Sequence, residues 1–155
     1  MICRLSSLLL LALLINGCDT PNKSLPYALK ITEEGLGSLQ PDTPFNQINT
    51  SLSGFEFEKL SPISALENEK IYLMKRGGQT VAQIISDPSG KRIAEIQITS
   101  SLIKNRYDQG IGDILPESKT LRCNDDICRN DSEPSLHYRI DQKTRIIKEI
   151  TFSRL

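Results

Sequence analysis

The chain contains no tryptophan, a single histidine and only 5% aromatic residues. Surfaces that hold bases or sugars by ring stacking are therefore poorly supplied. An excess of either charge is also missing: 19 Lys and Arg balance 19 Asp and Glu. The basic footprint that nucleic-acid binding requires is absent. The chain lacks the run of about 20 apolar residues that would cross a bilayer as a helix. Catalytic signatures are missing as well. There is no Gly-x-Ser-x-Gly elbow, and neither Gly-x-Gly pair carries the third glycine of a dinucleotide loop or a following Lys-Ser/Thr.

What the chain does have begins at the N-terminus. After Met1–Arg4 comes Leu5–Ile15, almost wholly apolar apart from Ser6 and Ser7. Such a run is too short for a membrane span and suits the core of a signal peptide. It closes on Leu14-Ile15-Asn16-Gly17-Cys18. An aliphatic residue three before a cysteine and a small one just before it resemble the bacterial lipobox. That resemblance implies cleavage before Cys18, thioether diacylation of its sulfur and further acylation, such as palmitate, on the new N-terminus. Two or more acyl chains anchor stably where one does not. The expected organisation is a signal peptide over 1–17, a lipidated, proline-containing tether over 18–26 and one domain over 27–155. Asp19 resembles the signal that keeps such proteins in the inner membrane.

The domain shows internal similarity. Gly35-Leu36-Gly37-Ser38-Leu39-Gln40-Pro41 reappears as Gly110-Ile111-Gly112-Asp113-Ile114-Leu115-Pro116. Asp87–Ile98 likewise lines up with Asp141–Phe152. The order is the same in both cases, which predicts two degenerate repeats, about 31–100 and 107–155, sharing one core. Thr43-Pro44 reads as a helix start, with Phe45, Ile48 and Leu52 on one face and Gly54 as the stop. Ser118 reads as the cap of a shorter partner helix running toward Cys123. Period-two patterns predict about six strands. They include a hairpin of Val81–Ser86 with Arg92–Ser100, a strand with Leu136, Tyr138 and Ile140 on one face, and a last strand with Ile146, Ile150 and Phe152 on one face. The expected fold class is α+β, an antiparallel sheet with two short helices on one face.

Four candidate sites follow. Cys18 is the lipidation site. Cys123 and Cys128 form an even pair in an oxidising compartment, read as a structural disulfide ahead of free or redox thiols and of a metal site. Gly35, Gly37, Gly110 and Gly112 are read as tight turns, with a ligand loop as the alternative. His137 alternates with Leu136 and Tyr138, which suits an outward strand position, and it is the single imidazole a general base could use. Glu33-Glu34 and Asp125-Asp126 are adjacent carboxylates in turns. No catalytic set, metal or cofactor is implied.

Several stretches together are similar to the RpoE-regulated lipoprotein family, whose molecular function is unknown. They are Ile31–Gly37 with Thr43-Pro44-Phe45, Met74–Gly78 with Val81-Ala82, Gly90–Ile93, Gly110-Ile111-Gly112, the cysteine pair and Ile147–Ile150. The resemblance implies a bacterial envelope lipoprotein produced in the envelope-stress response. Three functional readings result: a non-enzymatic module that contacts an envelope protein partner, a carrier of a lipid or cell-wall fragment in a cleft between the repeats, and a hydrolase using His137 with a carboxylate.

Overall fold

The computed structural model describes residues 29–60 and 70–153. Cys18, the expected signal peptide and the whole of the expected tether lie outside them. A small hairpin, β1 (Ile31–Thr32) and β2 (Gly35–Leu36), is the first element of the described residues. A single 3-10 turn, Phe45–Gln47, and one turn of α-helix, Ile48–Ser51, follow. Eight strands then build one antiparallel sheet. They are β3 (Glu56–Leu60), β4 (Ile71–Arg76), β5 (Gln79–Ser86), β6 (Ile93–Ile98), β7 (Leu121–Asn124), β8 (Ile127–Asn130), β9 (Glu133–Ile140) and β10 (Ile147–Ser153). Their order in space is β3-β4-β5-β6-β10-β9-β8-β7. Two four-stranded meanders thus meet along their last strands.

The fold is essentially all-β, which corrects the α+β expectation. The helix expected from Thr43 to Leu52 is reduced to two short turns. Thr43 accepts a hydrogen bond from the Gln40 amide instead of capping a helix, and neither turn has a side-chain cap, an acidic start or a basic end. Asn49 has a side chain of the kind that competes with helical hydrogen bonding. Phe45 and Ile48 are buried because an irregular strap passes over the sheet there. The helix expected after Ser118 is absent too, since Leu121–Asn124 pairs as β7 with β8.

The two meanders correspond closely. β5 becomes β9 and β6 becomes β10 by the same shift of 54 residues (79 to 133, 93 to 147). The junction is its own image under that shift. Ile98↔Ile150 exchanges with Ile96↔Phe152, and Gln97↔Thr151 maps onto itself. Both meanders bulge at the same place. Ser86↔Ile93 is followed by Ile85↔Glu95, and Ile140↔Ile147 by Arg139↔Glu149, so Ala94 and Lys148 are skipped. A bulge moves later side chains to the other face. Ile147 therefore joins Ile150 and Phe152 inside, in place of Ile146.

The Gly-x-Gly segments do not correspond in this way. The hydrogen bonds that match are those of Gln40 with Thr43 and of Gly110 with Asp113. In each pair the first amide donates to the second side chain and the second amide returns to the first carbonyl. Phe45 N then donates to Lys91 O as Leu115 N donates to Arg145 O. Structurally, Gln40–Phe45 matches Gly110–Leu115, five residues out of step with the glycine alignment.

One row of inward positions runs across all eight strands: Phe57, Met74, Ala82, Ile98, Ile150, Tyr138, Cys128 and Cys123. Isoleucines dominate its centre, where β-branched chains fit the pleat. The strap and the 99–120 connector cover this face through Ile31, Leu36, Leu39, Phe45, Ile48, Ile103 and Leu115, all buried. The opposite face carries Gln83, Glu95, Gln97, Thr151 and His137.

Candidate functional cleft

The Asp87–Ile98 and Asp141–Phe152 segments fill the sheet junction. Ile96, Ile98, Ile150 and Phe152 are fully buried there, so these described side chains pack the junction between the repeats. Open space lies instead over the second meander, and its cause is visible in the packing. In the first meander Ile84 faces Tyr72 across the strands, and the Tyr72 ring packs on Phe45, centroids 5.2 Å apart. In the second meander the large and small partners are swapped, with Tyr138 facing Cys128. Leu115 stands where Phe45 stands in the first. Two rings on one side are met by one on the other.

The resulting cleft has a volume of about 360 Å³, within the range of small-ligand sites. Leu115, Pro116 and Leu121 form its apolar wall, and Tyr107 and Tyr138 its rings. Its polar floor is built around Asn105, which is buried. The Asn105 carbonyl accepts from the Tyr107 and Gln109 amides at 2.9 Å, and its amide donates to Gln109 Oε1 and to the Tyr138 hydroxyl at 3.0 and 3.2 Å. Asp108, with φ of 63°, closes that loop. Burial pushes the Tyr138 hydroxyl up to about 12, against the Asn105 hydrogen bond, so it stays protonated at neutral pH.

Glu133 is the unexpected member. Its side chain is 1% exposed, and its Oε1 lies 2.6 Å from Nε of the half-exposed Arg106. Its Oε2 is buried with no hydrogen-bond partner among the described residues. Its counterpart one repeat earlier, Gln79, is exposed at the β4–β5 turn. Nothing in the local pattern marks Glu133. It starts a strand whose inward residues are Leu136, Tyr138 and Ile140, and it turns inward only because the pairing slips between Arg129 and Asn130.

The residues singled out from sequence fall elsewhere. Cys123 and Cys128 are disulfide-bonded across β7 and β8, with Cα atoms 4.0 Å apart. Gly35 sits where a Cβ would come within 2.1 Å of the Leu39 carbonyl oxygen, and Gly110 where one would meet the Ile103 carbonyl oxygen at 2.8 Å. Both positions are close backbone approaches. Gly37 and Gly112, the other members of the two pairs, take positive φ. His137 projects from the polar face, in register with Thr151 and Arg129. Burial, then the Arg129 guanidinium, hold it below the ordinary imidazole range. It shares a shallow groove of about 280 Å³ with Glu95, Glu149 and Arg139. Glu33 proves structural: its carboxylate accepts from the Ser135 amide and hydroxyl, at 2.9 and 2.6 Å, tying the first hairpin to β9.

Comparison with solved structures finds the same architecture. The chain is similar in fold to the uncharacterized protein yfeY from Escherichia coli, with a TM-score of 0.63. The match covers 81% of this chain and 99% of that one at 16% identity, a level at which the likeness concerns the fold alone. No family model matches the chain, and no curated protein matches it. Among the described residues, no helix is long and apolar enough to cross a membrane.

Proposed function

We propose that this chain is a lipid-anchored bacterial envelope protein of the RpoE-regulated lipoprotein family that works by binding and not by catalysis. The observation that carries the reading is the apolar run ending in Ile15-Asn16-Gly17-Cys18. The disulfide supports it, because such bonds persist in oxidising compartments. The cleft supports binding over chemistry. Its buried hydroxyl, on Tyr138, is held protonated, and its buried carboxylate, on Glu133, is engaged by Arg106. The anchor can be tested by labelling cells with radioactive palmitate. Wild type should carry label in the membrane fraction and Cys18→Ala should carry none. An unlabelled wild-type chain would reject the reading. In the same fractions, Asp19→Ser should move the protein from inner to outer membrane if Asp19 retains it.

The cleft also favours a carrier as a second reading, with its ligand over the second meander and not between the repeats. Pull-down from envelope extracts separates the two readings, because a module acting through a protein partner should recover that partner reproducibly.

A further inference from the structure

The geometry points to the cleft over β9 as a site for a small organic cation, a primary ammonium carried on a short apolar or aromatic body. The inference deepens the binding-module reading and rests on it. Two carboxylates, Glu133 and Glu117, line the cleft, and among its described lining residues there is no lysine or arginine, although Arg145 approaches Glu117 from beside it at 3.9 Å. Arg106 reaches Glu133 Oε1 from beside the cleft, with its own side chain 43% exposed. The second carboxylate oxygen is buried and has no hydrogen-bond partner among the described residues. A buried carboxylate oxygen without a donor is costly, and a charge-assisted hydrogen bond is the interaction that relieves it. The Tyr138 hydroxyl accepts from Asn105 at the same floor and keeps its own proton to donate, so Glu133 supplies the acceptor at the polar end of the cleft. The opposite wall, Leu115, Pro116 and Leu121, suits an apolar body. The half-exposed Tyr107 ring stands beside it, able to face either that body or the cation. An anionic ligand would meet both carboxylates. A neutral apolar one would leave Oε2 unpaired.

The test is calorimetric titration of the full-length chain in detergent micelles with three probes that share one body. Tyramine carries the ammonium, 4-ethylphenol lacks it, and 3-(4-hydroxyphenyl)propionate replaces it with a carboxylate. Tyramine should bind at least roughly tenfold more tightly than 4-ethylphenol, and the propionate should not bind. Glu133→Gln should erase that preference. Leu115→Phe, which supplies on this side the ring that Phe45 supplies on the other, should abolish binding without altering any charge. If Glu133→Gln does not fold, Leu115→Phe decides alone. Equal affinity for tyramine and 4-ethylphenol would overturn the assignment. So would a preference for tyramine that survives Glu133→Gln, tyramine binding that survives Leu115→Phe, or no tyramine binding to the wild type up to ~10 mM. Failure here is separable from failure of the envelope reading, because palmitate labelling at Cys18 does not depend on the cleft.

Discussion

The two meanders share a register, a bulge position and a pair of lead-in turns, yet the cleft described above lies over the second. In the first, Tyr72 and Phe45 plug the space over Ile84. In the second, Tyr138 takes the strand position of Ile84, and the smaller Leu115 and Cys128 stand opposite. One backbone plan thus serves as packed scaffold on one side and as recess on the other. The difference lies in a few side-chain volumes and in one carboxylate, Glu133, where the first meander has exposed Gln79. Function is most easily grafted where the scaffold is already held elsewhere, and here the packed half supplies the hold.

That division of labour requires the halves to stand or fall together. Ile98 and Phe152 are counterparts, both fully buried at the junction. Phe152→Ala should cost about 3–5 kcal/mol and Ile98→Ala about 2–5 kcal/mol. Each should lower one shared transition in thermal unfolding followed by circular dichroism. Two resolved transitions, with only the mutated half shifted, would break the picture of a single sheet.

Asn105 is the next largest effect, and it is confined to the cleft side. Asn105→Ala removes the acceptor for two loop amides and the donor to the Tyr138 hydroxyl. A loss of about 1–3 kcal/mol is expected. Amide hydrogen exchange should quicken at Tyr107 and Gln109 while Thr80 to Ile85 stay protected. Uniform loss of protection in both halves would mean that the loop is not a local feature.

The sheet edges differ as well. β7 and β8 are joined across their pair by a disulfide. β3 and β4 rely on Phe57 facing Met74 and on an ion pair of Lys75 with Glu58. The closed loop is short, so replacing both cysteines with alanine should cost about 2 kcal/mol. Fraying should begin at the β7 end, read as faster exchange at Arg122 and Arg129. Exchange unchanged there would assign the hold on that edge to the strand pairing alone.

Much of this sheet was legible in the sequence, and the reason is local. Period-two patterns at Phe55–Phe57, Val81–Ser86, Ala94–Ile98 and Leu136–Ile140 record burial on one face of a strand, and the Asp87 and Asp141 turns announce themselves. The disulfide needed only two cysteines and the expectation of an oxidising compartment. What stayed hidden depends on distant partners. Glu33 meets Ser135, 102 residues away. Glu133 is buried by a slip in pairing and by a connector from another part of the chain. The strap over Phe45 and Ile48 does coil, but only for two short turns, and spacing alone does not give the length of a helix. The repeated glycines misled for a different reason: each relieves its own close contact, so they recur without occupying equivalent places.

The smallest effect tests the equivalence of the halves most directly. Asp87 and Asp141 occupy the same turn in each meander and are both partly exposed. Backbone hydrogen bonding, first from the Lys91 amide at Asp87 and from the Thr144 amide at Asp141, holds each carboxyl below the ordinary aspartate range, with the Ser89 and Thr144 hydroxyls adding to it. A depressed folded pKa means that the unfolded chain takes up its proton first as acid is added. Each aspartate therefore contributes stability above the ordinary range, about pH 4, and loses it as pH falls through the lower folded value. Asp87→Asn and Asp141→Asn should each flatten the acid limb of the stability curve by a similar, small amount, leaving stability differences between pH 6 and 8 unaltered. The double variant should show the sum of the two, since the turns are far apart in sequence and share no partner. Unequal flattening, with one turn carrying nearly all of the acid sensitivity, would show that the shared backbone plan does not extend to the energetics of its turns.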